Sequence, residues 1–200
     1  TTADKNAKRL SSLINDLLDV EKIANGALNF EFRPLTVATI VRKAQAANQA
    51  YAEQLGVAIR IDGEIPEAKV QGDADRLAQV MANLLSNACK FTPKGLSVTI
   101  RVSREHDTIA IAIADPGPGI PEAFEAQVFE RFAQADQSLT RQDQRGGTGL
   151  GLAITKAIVD IHHGQITFTT VRAPEPGHGT TFTVVLPEWR ENEDAQAVKT

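Results

Sequence analysis

Cysteine, methionine, tryptophan and tyrosine each occur once among the 200 residues. The single cysteine, Cys89, cannot form a disulfide within the chain, which is typical of proteins from a reducing compartment such as the cytoplasm. The single methionine is Met81, and the chain begins at Thr1. A chain without an initiator methionine is expected to be a piece of a longer protein.

Long apolar runs and an excess of basic residues are also missing. The longest apolar stretches, such as residues 109–114, are far shorter than the roughly 20 residues that a membrane helix needs, so no membrane contact is expected. The net charge of -4 argues against nucleic acid as a partner. An apolar content of 42% is nevertheless enough for a sizeable core.

Two glycine clusters stand out in this composition. The first, Asp115 to Gly119, follows an alternating apolar run, so a buried strand is predicted to end at Asp115. The second, Gly147 to Gly151, opens an apolar helical pattern, and amides at a helix N-terminus favour an anion such as a phosphate. Neither cluster completes a GxGxxG or a GxxxxGK[ST] pattern. A carboxylate and a phosphate cradle together suggest a nucleotide.

A polar ridge is predicted on the helix from Asp75 to about Phe91. At about 100° per residue, Asn83, Asn87 and Lys90 fall on one stripe beside the apolar face. Two amide oxygens one turn apart suit a hard cation already bound to phosphates, and a lysine suits a phosphate oxygen. Each of these residues alone is usually just solvated, so the inference depends on the three sharing one ridge.

The other elements are predicted from alternation, helical spacing and turn residues. Strands are expected at residues 28–32, 57–61, 69–71, 98–102, 109–113, 166–168 and 180–186. Helices are expected after Thr36, with Gly56 as the stop, after Asp73, and in a last helix ending near Ile161. The polar segment from Gln134 to Gly146 is expected to be mobile.

The N-terminal segment carries a heptad seam. Its apolar residues are separated alternately by three and four positions: Leu10, Leu13, Leu17, Val20, Ala24 and Ala27. A lone helix of this kind is unstable in water, so its stripe must pack on the same domain or on other helices. An oligomerising helix cut from a bundle is the preferred interpretation, and an ordinary surface helix is the alternative.

Together these features resemble the ATP-binding domain of sensor histidine kinases, in the Bergerat-fold group that also holds gyrase, MutL and Hsp90-type ATPases. The resemblance covers about residues 73–186 and is carried by five motifs in the family's order. They are similar to the N box at 83–91, the first glycine box at 115–119, the F box at 129–132, the second glycine box at 147–151 and the glycine-threonine motif at 177–182.

The resemblance implies an α+β fold, a two-layer α/β sandwich in which a mixed sheet is covered on one face by helices and preceded by a single long helix. Residues 1–27 resemble the second helix of a dimerisation hairpin. Residues 28–187 would be the ATP-binding catalytic domain, and residues 188–200 a polar C-terminal tail or linker.

The same resemblance implies roles for individual residues. Asp115 would accept a hydrogen bond from the adenine amino group, helped by a water and Thr181. Asn87, with Asn83, would hold Mg²⁺ on the phosphates of ATP, and Lys90 would reach the phosphates directly. The other residues of the implied ATP site are Phe91, Gly117, Gly119, Ile120, Arg141, Arg145, Gly147, Thr148, Gly149, Leu150 and Gly151. Phe129 and Phe132 would anchor the mobile segment in the core or dock it against the helical bundle.

One departure separates branches of this group. Hydrolytic members carry a Glu that activates water four residues before the metal-binding Asn, and this chain has Asn83 there. Transfer to a histidine imidazole is therefore favoured over hydrolysis. His106, His162, His163 and His178 all lack the setting of a phosphoacceptor and are each expected at the surface, so the acceptor is expected outside the chain.

The implied function is the catalytic domain of a sensor histidine kinase, whose partners would be its own hairpin, a second protomer in a homodimer and a response-regulator receiver domain. Two alternatives stay open. The chain could be a degenerate nucleotide-binding scaffold or sensor without transfer, although all five motifs are intact. A gyrase or MutL-type ATPase is disfavoured by Asn83 and by the lack of a basic surface.

Overall fold

The computed structural model describes residues 29–134 and 148–190, together with six positions of the N-terminal segment. These six positions are helical and exposed: Leu10, Ile14, Leu17, Leu18, Glu21 and Lys22. Their apolar side chains are about half exposed, from 48% at Leu17 to 58% at Leu10. The described residues of the chain therefore leave this apolar face open.

The two long described ranges contain seven strands and four helices. The strands are β1 (Arg33–Thr36), β2 (Ala58–Ile61), β3 (Lys69–Gly72), β4 (Ser97–Glu105), β5 (Thr108–Asp115), β6 (Gln165–Val171) and β7 (Gly179–Trp189). The helices of the two long described ranges are α1 (Val37–Leu55), α2 (Ala74–Phe91), α3 (Glu122–Glu125) and α4 (Gly151–Ile161). Within the described residues, none of the helices is both long enough and apolar enough to cross a bilayer.

The strands form one mixed sheet. Its order is β1-β3-β7-β5-β4-β2, and β6 also pairs with β7. Only β2 and β4 run parallel, and every other described pair is antiparallel. The β4–β5 hairpin turns at His106, as alternation predicted. The predicted fold class is confirmed.

Helices cover one face of this sheet. In β5 the residues Ile109, Ile111 and Ile113 are buried, and the helices α1, α2 and α4 contribute their apolar faces to the same core. Burial of alternate strand residues is what a sheet with one covered face requires. The largest fully buried side chains include Met81, Leu84 and Leu85 of α2, which is therefore the central helix of the layer.

Capping follows the predicted residues with one difference. The Asp73 carboxylate accepts hydrogen bonds from the N–H groups of Asp75 and Arg76 at the start of α2. Gly56 ends α1 in the left-handed conformation, at φ 69°. Thr36 precedes α1, but its side chain makes no capping hydrogen bond. Asp73 thus anchors the helix that carries the polar ridge.

Two predicted boundaries were wrong. No strand lies at residues 29–32, because Phe30 and Phe32 pack against His162 instead of pairing in the sheet, and β1 begins at Arg33. At the other end, β7 continues past Pro187 to Trp189, because Glu188 and Trp189 pair with β3. The sheet therefore includes two residues that had been assigned to the tail.

Candidate functional site

Asp115 ends strand β5 on the helix-covered face of the sheet. Its side chain is 9% exposed, and Oδ1 accepts a hydrogen bond from the N–H of Gly117 at 2.9 Å. Burial raises the pKa of Asp115 to about 6, although the N–H groups of Gly117 and Thr180 act in the opposite direction. The site thus contains a buried carboxylate that ionises close to neutral pH.

The loop after Asp115 requires its two glycines. A Cβ at position 117 would lie 2.5 Å from Asp115 Oδ1 and 3.0 Å from the carbonyl oxygen of Phe91. Gly119 has φ 80°, and a Cβ there would lie 2.4 Å from the carbonyl oxygen of Val171. The glycines therefore let the loop pack between the end of α2 and the end of β6.

The carboxylate of Asp115 lies close to the end of α2. Gly117 contacts Phe91, the last residue of α2. Burial and, to a smaller extent, the charge of Asp115 raise the pKa of Cys89 in the same helix to about 11. Cys89 itself is fully buried and not in a disulfide. The first glycine cluster and the C-terminal end of the polar ridge are therefore brought together.

The neighbour of Asp115 in the sheet is Thr180, one residue before the predicted Thr181. Asp115 pairs directly with Thr180, which is 6% exposed, so these two side chains lie on the same face. Thr181 alternates to the opposite face, but all three residues, Asp115, Thr180 and Thr181, line one open cavity of about 350 Å³.

The polar ridge of α2 is present, and its three residues are half-buried. Asn83 Nδ2 donates to the carbonyl oxygen of Gly151 at 3.1 Å and is 3.4 Å from Thr155 Oγ1. The side-chain amide of Asn87 makes no hydrogen bond within the described part of the chain. Lys90 Nζ lies 5.1 Å from the centre of the Phe91 ring. Asn83 therefore holds the start of α4, while the amide of Asn87 stays available to a ligand.

The second glycine cluster begins α4. The N–H of Leu150 donates to Thr148 Oγ1 at 3.1 Å, and the Leu150 side chain is only 1% exposed. Leu150 is therefore a core residue whose backbone, and not its side chain, belongs to the site. Gly147, Arg141 and Arg145 lie outside the described residues, as does almost all of the segment expected to be mobile.

The two ends of that segment are joined. The N–H of Phe132 donates to the carbonyl oxygen of Gly149 at 2.8 Å. Gly149 has φ 73°, and a Cβ there would lie 2.8 Å from backbone atoms of Phe132. Only a glycine allows this close approach, so the described residues on the two sides of positions 135–147 are in direct contact.

The F box divides into a core residue and an exposed one. The Phe129 ring lies 6.0 Å from that of Phe168 and 6.3 Å from that of Phe182, in contact with the core. Phe132 is 62% exposed. Anchoring in the core is thus observed for Phe129 alone.

A family model described as "Histidine kinase-, DNA gyrase B-, and HSP90-like ATPase" matches residues 72–190. The chain belongs to this family. The match begins one residue before Asp73 and ends one residue after β7, so it covers every element from α2 to the end of the sheet.

Relatives in this ATPase family include sensor kinases. The chain is 38% identical over 183 residues to the circadian input-output histidine kinase CikA of Synechococcus elongatus, covering 90% of this chain and 24% of that protein. It is 34% identical to the sensor protein DivL of Caulobacter vibrioides, covering 92% of this chain and 22% of that one. The chain thus spans about a quarter of the length of these relatives.

A solved structure gives the same fold. The crystal structure of full-length ShkA in complex with AMPPNP superimposes with a TM-score of 0.78 at 26% identity, covering 92% of this chain and 37% of that chain. The family and the fold predicted from the five motifs are therefore both confirmed.

Two of the four histidines are exposed, as their positions in turns predicted. His106 and His163 are exposed, and His178 is half-buried, with Nδ1 donating to the carbonyl oxygen of Gly117 at 2.6 Å. The expectation for His162 was wrong, because this side chain is 2% exposed. Contacts with Phe30, Phe32 and Asp73, all distant in sequence, bury it.

Proposed function

We propose that this chain is the ATP-binding catalytic part of a sensor histidine kinase, which transfers the γ-phosphate of ATP to a histidine on the dimerisation hairpin. The observation that carries the proposal is the state of the two asparagines on the ridge. Asn83 is engaged with Gly151, while Asn87, one turn further along the helix, has a half-buried amide that is available to a ligand.

Nucleotide recognition would depend on Asp115. The carboxylate would accept the adenine amino group on the side that the Gly117 N–H leaves open, since a carboxylate has about four acceptor positions. Thr180, which shares the face of Asp115, replaces Thr181 as the expected partner of a bridging water. Phe91 would line the adenosine, and its contact with Gly117 places it beside the carboxylate.

Phosphate and metal would be held along α2 and at the start of α4. The donor set fits a magnesium ion on phosphates, because Asn87 supplies an amide oxygen and Lys90 a positive charge on the same ridge. Bound magnesium would neutralise phosphate charge. Thr148 and the backbone of Gly149 to Gly151 would contact the phosphates, with Arg141, Arg145 and Gly147 expected to add to them.

Transfer is favoured over hydrolysis. In hydrolytic relatives a glutamate activates water at the position of Asn83, and here the amide at that position holds α4 and has no basic lone pair. The residues of the site would therefore bind and orient ATP for in-line attack by a neutral imidazole. His162 cannot be that imidazole, since both ring nitrogens are used inside the fold.

The partners follow from the missing acceptor. The exposed apolar side chains at Leu10, Ile14, Leu17 and Leu18 fit the second helix of a hairpin that packs on its own first helix and on a second protomer. We place this helix in residues 1–27, the catalytic domain in residues 28–189 and a tail beyond it. The phosphoryl group would pass on to an aspartate of a receiver domain, in the cytoplasm.

The test is phosphotransfer in the full-length protein. Incubation with γ-labelled ATP and magnesium is expected to label a histidine, seen as a phosphoryl group that is stable in alkali and lost in acid. The present chain alone should release phosphate only slowly. Rapid ATP turnover by this chain without any protein acceptor would contradict the proposal and support an ATPase.

A further inference from the structure

The connection between β6 and β7, residues 172–178, contacts the glycine loop, residues 116–120, at three points. Arg172 Nε donates to the carbonyl oxygen of Ile120 at 3.0 Å. The N–H of Ala173 donates to the carbonyl oxygen of Pro118 at 3.0 Å. His178 Nδ1 donates to the carbonyl oxygen of Gly117 at 2.6 Å. Three of the five carbonyl groups of the glycine loop are therefore held by one connection.

The end of β6 holds the same loop from a second direction. The N–H of Ile120 donates to Thr170 Oγ1 at 2.8 Å, and that hydroxyl lies 3.2 Å from the carbonyl oxygen of Gly179. The absence of a side chain at Gly119 permits the approach, because a Cβ there would collide with Val171. Ile120 is thus bonded through both its N–H and its carbonyl oxygen.

Arg172 also reaches the next element along the chain. Its Nη2 pairs with the Glu125 carboxylate at the end of helix α3. Both side chains are partly exposed, 41% for Arg172 and 37% for Glu125, so the ion pair itself contributes little stability. Its effect is geometric, because a planar guanidinium fixes the direction of two contacts at once.

Helix α3 leads toward the contact between Phe132 and the second glycine cluster. After Glu125 the chain turns to the buried Val128 and the core residue Phe129, and then to Phe132, which bonds Gly149. The guanidinium of Arg172 therefore joins the loop next to Asp115 to helix α3, which precedes Phe129 and Phe132 in the chain.

We infer that Arg172 is a positioning residue for nucleotide binding, which holds the glycine loop beside Asp115 and fixes helix α3 against it. The inference rests on the proposed nucleotide site and adds a residue that none of the five motifs contains. It makes the β6–β7 connection part of the nucleotide site without any contact with the ligand.

The test compares Arg172→Gln, Arg172→Lys and Glu125→Gln with the native chain. Arg172→Gln loses both contacts and should weaken binding of a non-hydrolysable ATP analogue with magnesium by about tenfold. Arg172→Lys keeps a charge for Glu125 but cannot direct two donors as the guanidinium does, so it should rescue binding only in part. Glu125→Gln keeps the Ile120 bond and should cost about threefold.

A matched control is Arg101→Gln, because Arg101 also pairs with an exposed carboxylate, that of Asp62, at a distance from the glycine loop. It should change the dissociation constant less than about twofold. The second readout is amide exchange without nucleotide. In Arg172→Gln, exchange should rise in a peptide covering residues 116–125 and stay native in one covering α2.

The outcomes separate the two ideas. If the native chain binds nucleotide and Arg172→Gln binds equally well, with unchanged exchange, Arg172 has no positioning role. If the native chain does not bind nucleotide, the proposed function fails and the positioning role in binding fails with it. The exchange comparison then still decides whether Arg172 orders the glycine loop.

Discussion

Asp73 and Asp115 both lie at the end of a strand. Backbone hydrogen bonds offset the desolvation of their two carboxylates to different degrees. The carboxylate of Asp73 accepts N–H groups from Glu31, Asp75 and Arg76. Burial alone would raise the pKa of Asp73, but these N–H groups and the charge of Arg76 outweigh it, and the pKa lies below its ordinary value. All three of these hydrogen bonds hold the fold.

His162, Phe30 and Phe32 pack beside Asp73, and these four residues form the Asp73 junction. The Nδ1 atom of His162 donates to the carbonyl oxygen of Ile158 at 2.7 Å, and its Nε2 accepts the N–H of Asp73 at 3.0 Å, so the ring is neutral with a defined tautomer. Burial lowers the pKa of His162, although the Ile158 carbonyl and Asp73 favour the charged form. With Phe30 and Phe32 against it, the ring ties the segment before β1 to helices α2 and α4.

At Asp115 the balance is reversed. Burial raises the pKa of this carboxylate to about 6, and two backbone N–H groups, from Gly117 and Thr180, do not offset it. A buried charge that the fold leaves partly uncompensated gains most from a ligand that donates a hydrogen bond. The comparison teaches that the half-buried carboxylate with three backbone donors serves the fold, whereas the more deeply buried carboxylate with fewer donors keeps capacity for a ligand.

The largest effect on stability is expected at the Asp73 junction. His162→Ala leaves the Asp73 N–H without its acceptor and removes a buried ring, so the free energy of unfolding should fall by about 2–4 kcal/mol. Urea denaturation at pH 7.5 measures this. His163→Ala is the control, because His163 is exposed. Equal losses in the two variants would show that the junction carries no special stability.

The two regions should respond to pH with opposite signs. The pKa of His162 is depressed in the folded state, so its contribution to stability is present above the unfolded value of 6.5 and is lost as the pH falls. The pKa of Asp115 is raised from 3.8 to about 6, so its contribution is present below 3.8 and is lost as the pH rises through 6.

Unfolding free energies between pH 5 and pH 7.5 separate these contributions. Asp115→Asn removes the stability contribution that decreases as the pH rises. The stability of this variant should therefore rise with pH more steeply than that of the native chain, by up to about 1.4 kcal/mol per pH unit. His162→Gln should have the flatter profile. Parallel profiles for all three proteins would refute the assigned directions.

The smallest effect is expected at the edge of the junction. Phe32 is 40% exposed and its ring lies 5.0 Å from that of His162, so Phe32→Ala should lower the unfolding free energy by about 0.5–1.5 kcal/mol and leave nucleotide affinity unchanged. Phe91→Ala, at a similar 41% exposure, should instead weaken nucleotide binding. Denaturation and nucleotide titration of both variants measure these two different effects. If both variants changed stability and affinity alike, the distinction between the two phenylalanines would be refuted.

Local patterns predicted most of the fold. The alternation in β4 and β5, the helical spacing of α2 and the capping by Asp73 depend on neighbours in sequence, and the structure has each of them. The ridge that carries Asn83 and Asn87 follows from the same helical period.

The errors arose where distant contacts decide. Phe30 and Phe32 alternate as in a strand, but they pack on the buried ring of His162, and the N–H of Glu31 between them donates to the Asp73 carboxylate. Choosing Thr180 over Thr181 needs the register of β7 on β5. Counting alternate residues from the buried Phe182 would have pointed to Thr180, whereas no local signal marks Arg172.

The most direct measurement is calorimetric titration of a non-hydrolysable ATP analogue with magnesium into Asp115→Asn and Asp73→Asn. Both changes replace a carboxylate by an isosteric amide. Asp115→Asn should weaken binding by about 10- to 100-fold, since it exchanges an acceptor facing the ligand for a donor, while Asp73→Asn should bind within about twofold of the native chain. Equal affinities in the two variants, or weaker binding in Asp73→Asn alone, would contradict the assignment of Asp115 as the nucleotide-binding carboxylate.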